Sequence, residues 1–181
     1  MTGSRQPSEV VRSGMALLAE EMSGENRDRL LDRMVPRKIP FGEVVTEEGV
    51  QTDALFIVTD GSLKVSVTAD GEVLEVGTVT PGQWVGEVGL LDPGPASATV
   101  VAARDSTVLI LTASALQDLR EDDPALASPL LRALARTLSE RVRASSRGVL
   151  RGDATSWRLE HVPQKREGWL SGVIRNVFGG N

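Results

Sequence analysis

Gly86-Glu87-Val88-Gly89-Leu90-Leu91, followed shortly by Pro95-Ala96-Ser97-Ala98-Thr99, is the stretch that decides how this chain is read. A short helix opening at Gly86 would aim unpaired backbone N–H groups and the positive end of its dipole outward, which suits a phosphate. Gly86 lets backbone come close. Glu87 can accept a hydrogen bond from a sugar hydroxyl, and Val88 sits on the same opening turn. Ser97 and Ala98 can add backbone N–H groups, and Ser97 a hydroxyl. The plainer reading keeps Gly86 and Gly89 as tight-turn residues and Glu87 as a solvated carboxylate.

On either side of this stretch the chain alternates short aliphatic runs with turn residues: Val44-Val45, Leu55 to Val58, Leu63 to Val67, Val73 to Val79, Val100-Val101 and Val108 to Leu111. Leu63, Val65 and Val67 alternate with Lys64, Ser66 and Thr68, the period of a half-buried strand. Asp60-Gly61 and Asp70-Gly71 read as hairpin turns, where glycine accepts a positive φ. Many short strands with such turns imply an antiparallel sandwich or barrel. Helices flank it. One is expected from Ser8 to about Met22, although Gly14 costs it about 1 kcal/mol relative to alanine. A second should run from Gly24 to Met34, capped by Ser23 and stopped by Pro36. After the strands, Thr112 can cap a helix through Leu119. Asp123-Pro124 and Ser128-Pro129 give two further starts. A long helix then follows from Pro129 to about Arg147, ending before Gly148. Its stripe of Leu131, Leu134, Leu138, Val142 and Ser145 must pack on the barrel or on a second subunit.

Three units result: N-terminal helices over 1–35, a strand-rich domain with the long helix over 36–147, and a linker with a terminal amphipathic helix over 148–181. In that last helix Trp169, Leu170, Val173, Ile174, Val177 and Phe178 share one face. Three fates are open to it: packing on its own domain, docking in a partner's apolar groove, or weak contact with a membrane surface.

Charge is uneven. The chain carries −5, yet ten basic residues oppose four acidic ones from Pro129 onward, leaving −11 before it. The basic segment is either a solvated helix or a surface for an anionic partner. No apolar run approaches a membrane span, no secretory signal is evident, and there is no cysteine, so a cytoplasmic setting is expected. A single histidine, His161, outside the strand region, leaves too little for a metal site or a nucleophilic triad. We therefore expect a protein that is not an enzyme and has no metal.

Residues from about 28 to about 145 resemble the cyclic-nucleotide-binding family of bacterial regulators, kinase regulatory subunits and ion channels. Phe41-Gly42-Glu43-Val44-Val45 leading to Gly49 carries part of the likeness. So do Asp53 to Val58 with Gly61 and Leu63-Lys64-Val65, and the 86–99 stretch preceded by Pro81-Gly82-Gln83. The resemblance implies a mainly β fold with flanking helices, a jelly-roll-like antiparallel β-roll of eight strands followed by a long α-helix behind the ligand pocket. It implies that Gly86, Glu87, Val88, Ser97 and Ala98 form a phosphate-binding cassette in which the carboxylate binds ribose. It also implies cyclic AMP or cyclic GMP as a regulatory ligand, with no obligatory cofactor. The chain departs from the family at Ala96, where an arginine pairs with the cyclic phosphate. Charge-assisted bonds contribute about 1.5–3 kcal/mol each, so their loss weakens binding ~10-fold to several hundred-fold and leaves Glu87 without a cationic neighbour. Arg104 is the nearest downstream basic residue, and Thr137 and Ser139 are candidates for base contacts.

The function expected is a regulatory sensor with weak or altered ligand binding. Its long helix moves with ligand, and its tail signals to a protein partner. A homodimer through the long helix is a further expectation, as is the absence of direct sequence-specific DNA binding. The alternative is a degenerate domain that binds no nucleotide and serves as a constitutive adaptor or scaffold, docking through its basic helix and tail.

Overall fold

The run Ala54-Leu55-Phe56-Ile57-Val58 is buried on both of its faces, and that burial organises the molecule. The structure, a computed structural model, describes residues 14–151, with side-chain surroundings through residue 144. Ten strands, β1 to β10, span Val35–Ile39, Val44–Thr46, Gln51–Thr52, Ala54–Asp60, Leu63–Ala69, Glu72–Val79, Trp84–Val85, Gly94–Pro95, Thr99–Ala102 and Ser106–Thr112. Five helices, α1 to α5, span Gly14–Glu21, Gly24–Leu31, Glu87–Leu91, Ala113–Asp122 and Pro124–Arg151. Two four-stranded sheets, ordered β1-β10-β4-β7 and β2-β9-β5-β6, accompany a two-stranded β3-β8 ribbon. Pairing between the strands is antiparallel throughout. This is the mainly β roll with flanking helices and a long final helix that the sequence led us to expect.

Successive side chains of a strand face opposite ways, and β4 and β10 use both faces. Phe56 and Val58, with Val108, enter the core between the sheets beside Val65, Val79 and Val100. Leu55 and Ile57, with Leu109 and Leu111, enter a second core beneath the helices. Leu17 and Leu18 of α1, Leu30 of α2, Leu119 of α4 and Leu126, Leu130 and Leu134 of α5 close that core around Trp84. Full burial of such side chains stabilises by about 1.5–3 kcal/mol each. Gly14, a weak helix former, stands where a Cβ would lie 2.1 Å from the Trp84 ring. The indole requires the glycine there.

Several expectations need correction. The second helix, capped by Ser23 as expected, ends at Leu31. Pro36 does not stop it but lies in β1, an edge strand, where a missing N–H is tolerated. Asp70-Gly71 joins paired strands, with Ala69 opposite Glu72 and φ of 53° and 83°. Asp60-Gly61 closes no hairpin, because β4 and β5 belong to different sheets. It is the crossing between them, and a Cβ on Gly61 would sit 2.5 Å from Ser106 Cα. The helix expected from Pro129 begins at Pro124, with Pro129 inside it, and continues through Gly148 to Arg151. The Asp123 carbonyl accepts from the amides of Leu126 and Ala127. The opening turn is thus already set when the chain reaches Pro129, and Ser128 does not begin a new helix. The apolar stripe is also rotated. Leu126, Leu130, Ala133, Leu134 and Thr137 are buried, Leu131 and Leu138 partly so, and Val142 is 63% exposed. The N-terminal helices α1 and α2 cover the buried line.

Among the described residues, no helix is long and apolar enough to cross a membrane. The beginning of the first expected helix and the terminal segment with Trp169, Leu170, Val173, Ile174, Val177 and Phe178 lie outside the described residues.

Candidate functional site

Gly86 takes φ +88° at the start of α3, and a Cβ there would lie 2.1 Å from the carbonyl oxygen of Ala54. A Cβ on Gly89 would lie 2.6 Å from Thr52 Cγ2. Both glycines therefore seat α3 closely against neighbouring strands. Glu87 is not a solvated carboxylate, because it is only 3% exposed. Its Oε1 accepts from Nη1 of Arg141 on α5. Nη2 of the same guanidinium donates to the carbonyl of Trp84 at 2.9 Å. The buried Nε of Arg141 has no hydrogen-bond partner.

These groups border a cavity of about 450 Å³, within the range of small-molecule sites. The structure brings all five sequence candidates to its wall: Gly86, Glu87 and Val88 on one side, Ser97 and Ala98 on another. Val65, Val67, Val85 and Val100 supply an apolar floor, and Leu138, Arg141 and Val142 of α5 close it from behind. Among the described residues, Glu87 and Arg141 are the charged ones in the lining. Ala96 lines it too, but its backbone is already engaged. Its amide donates to Val50 O, and its carbonyl accepts from the Gly49 amide, each at 2.8 Å.

The expectation that Glu87 lacks a cationic neighbour is overturned, because Arg141 reaches it from 54 residues downstream. Sequence reasoning missed this residue. Its signal was its place on the long helix, three residues after Leu138, on the side turned to the roll. Thr137 and Ser139 do not line the cavity. Their hydroxyls donate to the carbonyls of Ala133 and Ala135, at 3.1 and 2.8 Å. Arg104 is elsewhere, donating to Gly61 O at 3.0 Å by the β4–β5 crossing. The donor set fits an anionic, hydroxyl-bearing small molecule. It has a buried acid for a hydroxyl, a guanidinium for an anion, and an apolar wall for a flat ring.

Residues 36–123 match the family described as cyclic nucleotide-binding domain. The N-terminal domain of a transcriptional regulator from Streptomyces coelicolor superposes with a TM-score of 0.62 at 32% identity, over 71% of this chain and 90% of that one. A CRP-like cAMP-activated global transcriptional regulator of Mycobacterium tuberculosis is 30% identical over 110 residues, 60% of this chain and 49% of that protein. A cAMP-dependent protein kinase regulatory subunit of Mycosarcoma maydis is 34% identical over 86 residues, 48% of this chain and 16% of that protein. The chain thus spans half or less of the length of these two curated relatives. It belongs to the cyclic nucleotide-binding domain family.

Proposed function

We propose that this chain is a non-catalytic regulatory sensor whose ligand, a cyclic nucleotide, enters the cavity between α3, the 95–99 segment and α5. One observation carries the proposal: a cavity of about 450 Å³ is walled by the sheet on one side and by the long helix on the other, with a buried acid and a guanidinium meeting in it. Glu87 would hold a sugar hydroxyl, Ser97 and Ala98 would face the phosphate, and the valine wall would take the base. A ligand favours whichever helix position it binds better, so occupancy would shift the population of α5 positions. That shift would pass to a protein partner, through the 169–178 segment or through a second copy packed along Leu131, Leu138 and Val142.

A second reading has its own support. Ala96 offers no cation, and its amide is committed to Val50. On that reading the domain binds no nucleotide and acts as a constitutive adaptor. Calorimetric titration of the full chain with cyclic AMP and cyclic GMP, followed by amide exchange of α5, separates the two. The sensor reading expects saturable heat with one of them and altered exchange beyond Leu138. Absence of heat with both would remove that reading and leave the adaptor.

A further inference from the structure

We infer that Arg141 is the cation this chain presents to the anionic group of its ligand, so that neutralising the ligand and moving α5 become one event. The inference rests on the reading that a cyclic nucleotide enters the cavity. The segment from Pro95 to Thr99 supplies no charge, and among the described residues the charged ones lining the cavity are Glu87 and Arg141. An anionic phosphate entering beside Glu87 alone would meet a buried negative charge with nothing to offset it. Arg141 offsets it, and its guanidinium carries more N–H donors than the two bonds it makes to Glu87 and Trp84.

A guanidinium carries five N–H donors in a rigid plane. Nη1 faces Glu87 and Nη2 faces the Trp84 carbonyl, whereas Nε is buried with no acceptor. Buried donors in folded proteins are seldom left unpaired, so each such case calls for a physical reason. A phosphate oxygen is the acceptor that matches the planar fork. Lysine at this position could supply charge but not that fork.

The position of the charge matters as much as its presence. Position 96 lies on the sheet side, tied by backbone hydrogen bonds to residues 49 and 50. An arginine there would hold ligand from the sheet side, on a segment fixed by those bonds. Arg141 lies on the helix itself, one turn past the buried Thr137. A ligand that engages its guanidinium acts on α5 directly.

The test is calorimetric titration of cyclic AMP and cyclic GMP into four full-length chains: native, Arg141→Gln, Ala96→Arg, and the double variant, with thermal unfolding to confirm that each is folded. Arg141→Lys serves as the gentler variant should glutamine disturb the fold. We expect Arg141→Gln to weaken binding tenfold or more, equivalent to ~1.4 kcal/mol or more. Arg141→Lys should fall between it and the native chain. Ala96→Arg added to Arg141→Gln should recover most of the lost affinity, yet ligand should no longer change amide exchange beyond Leu138. If the native chain binds and Arg141→Gln binds within twofold of it, the inference is overturned and the sensor reading survives. If the native chain binds neither nucleotide, both fall.

Discussion

The two halves of α5 are held by different physics. From Leu126 to Leu134 the helix lies in the apolar core, with Leu126, Leu130, Ala133 and Leu134 essentially inaccessible to water. There Arg132 and Arg136 also pair with Glu21 and Glu20 of α1 at 2.7 and 2.8 Å. From Leu138 to Val142 the helix borders the cavity, with Val142 mostly exposed and Arg141 paired to Glu87. The hydroxyls of Thr137 and Ser139 bond back to helix carbonyls at the changeover, a pattern that often bends helices. Three buried leucines contribute about 1.5–3 kcal/mol each. One ion pair contributes little net once desolvation is subtracted. On the sensor reading proposed above, a ligand in the cavity would displace the second half while the first stays in place.

The sharpest way to break this contrast is to truncate one apolar side chain in each half. Leu134→Ala should cost about 2–5 kcal/mol in urea unfolding, whereas Val142→Ala should stay within about 0.5 kcal/mol. Equal losses would mean that the cavity half is packed as tightly as the other. A smaller effect is expected at the ion pair. Removing one partner of a fully buried pair costs about 3–5 kcal/mol. Arg141 keeps a quarter of its side chain exposed, so Glu87→Gln should cost about 1–2 kcal/mol, less than that bound. Hydrogen exchange should then quicken over residues 138–151 and stay unchanged over 126–134. Faster exchange along the whole helix would show that the halves are coupled.

How legible this arrangement was depends on how far each interaction reaches along the chain. The roll could be read from the sequence because its signals are local: alternation in β5, the Asp70-Gly71 turn, and caps such as Ser23 and Thr112, whose side chains accept from Asn26 and Ala115 amides. That the five site candidates lie close together was legible for the same reason, since all fall between 86 and 98, and the structure brings them to one cavity wall. What failed was long-range. Asp60-Gly61 has the composition of a hairpin, but which sheet each neighbouring strand joins is decided by packing. Pro129 and Gly148 look like helix boundaries by propensity, and helix continuity through them is set by tertiary context. Arg141 was hidden because nothing within a few residues of it reports Glu87. The glycines at 86 and 89 were half-read: their need for space is real, but the space is filled by Ala54 and Thr52.

The mildest perturbation addresses the packed half from its surface. Glu21 accepts hydrogen bonds from Arg132 and Arg136, which together with their charge hold its carboxyl below the ordinary value of 4.5, against the opposing pull of desolvation. A carboxyl whose folded value is depressed adds stability above its unfolded value and loses it as pH falls through the folded one. The stability difference between the native chain and Glu21→Gln should therefore be constant above about pH 5. It should shrink as pH drops below 4.5, and close once the folded carboxyl is protonated. Arg132 and Arg136 are substantially exposed, so the difference should also diminish in about 1 M salt. At neutral pH, Glu21→Gln should leave exchange over residues 138–151 unchanged, because this clamp holds the half of α5 that burial already fixes. Quickened exchange there would place the control of the cavity end in α1 instead of in the Glu87–Arg141 pair.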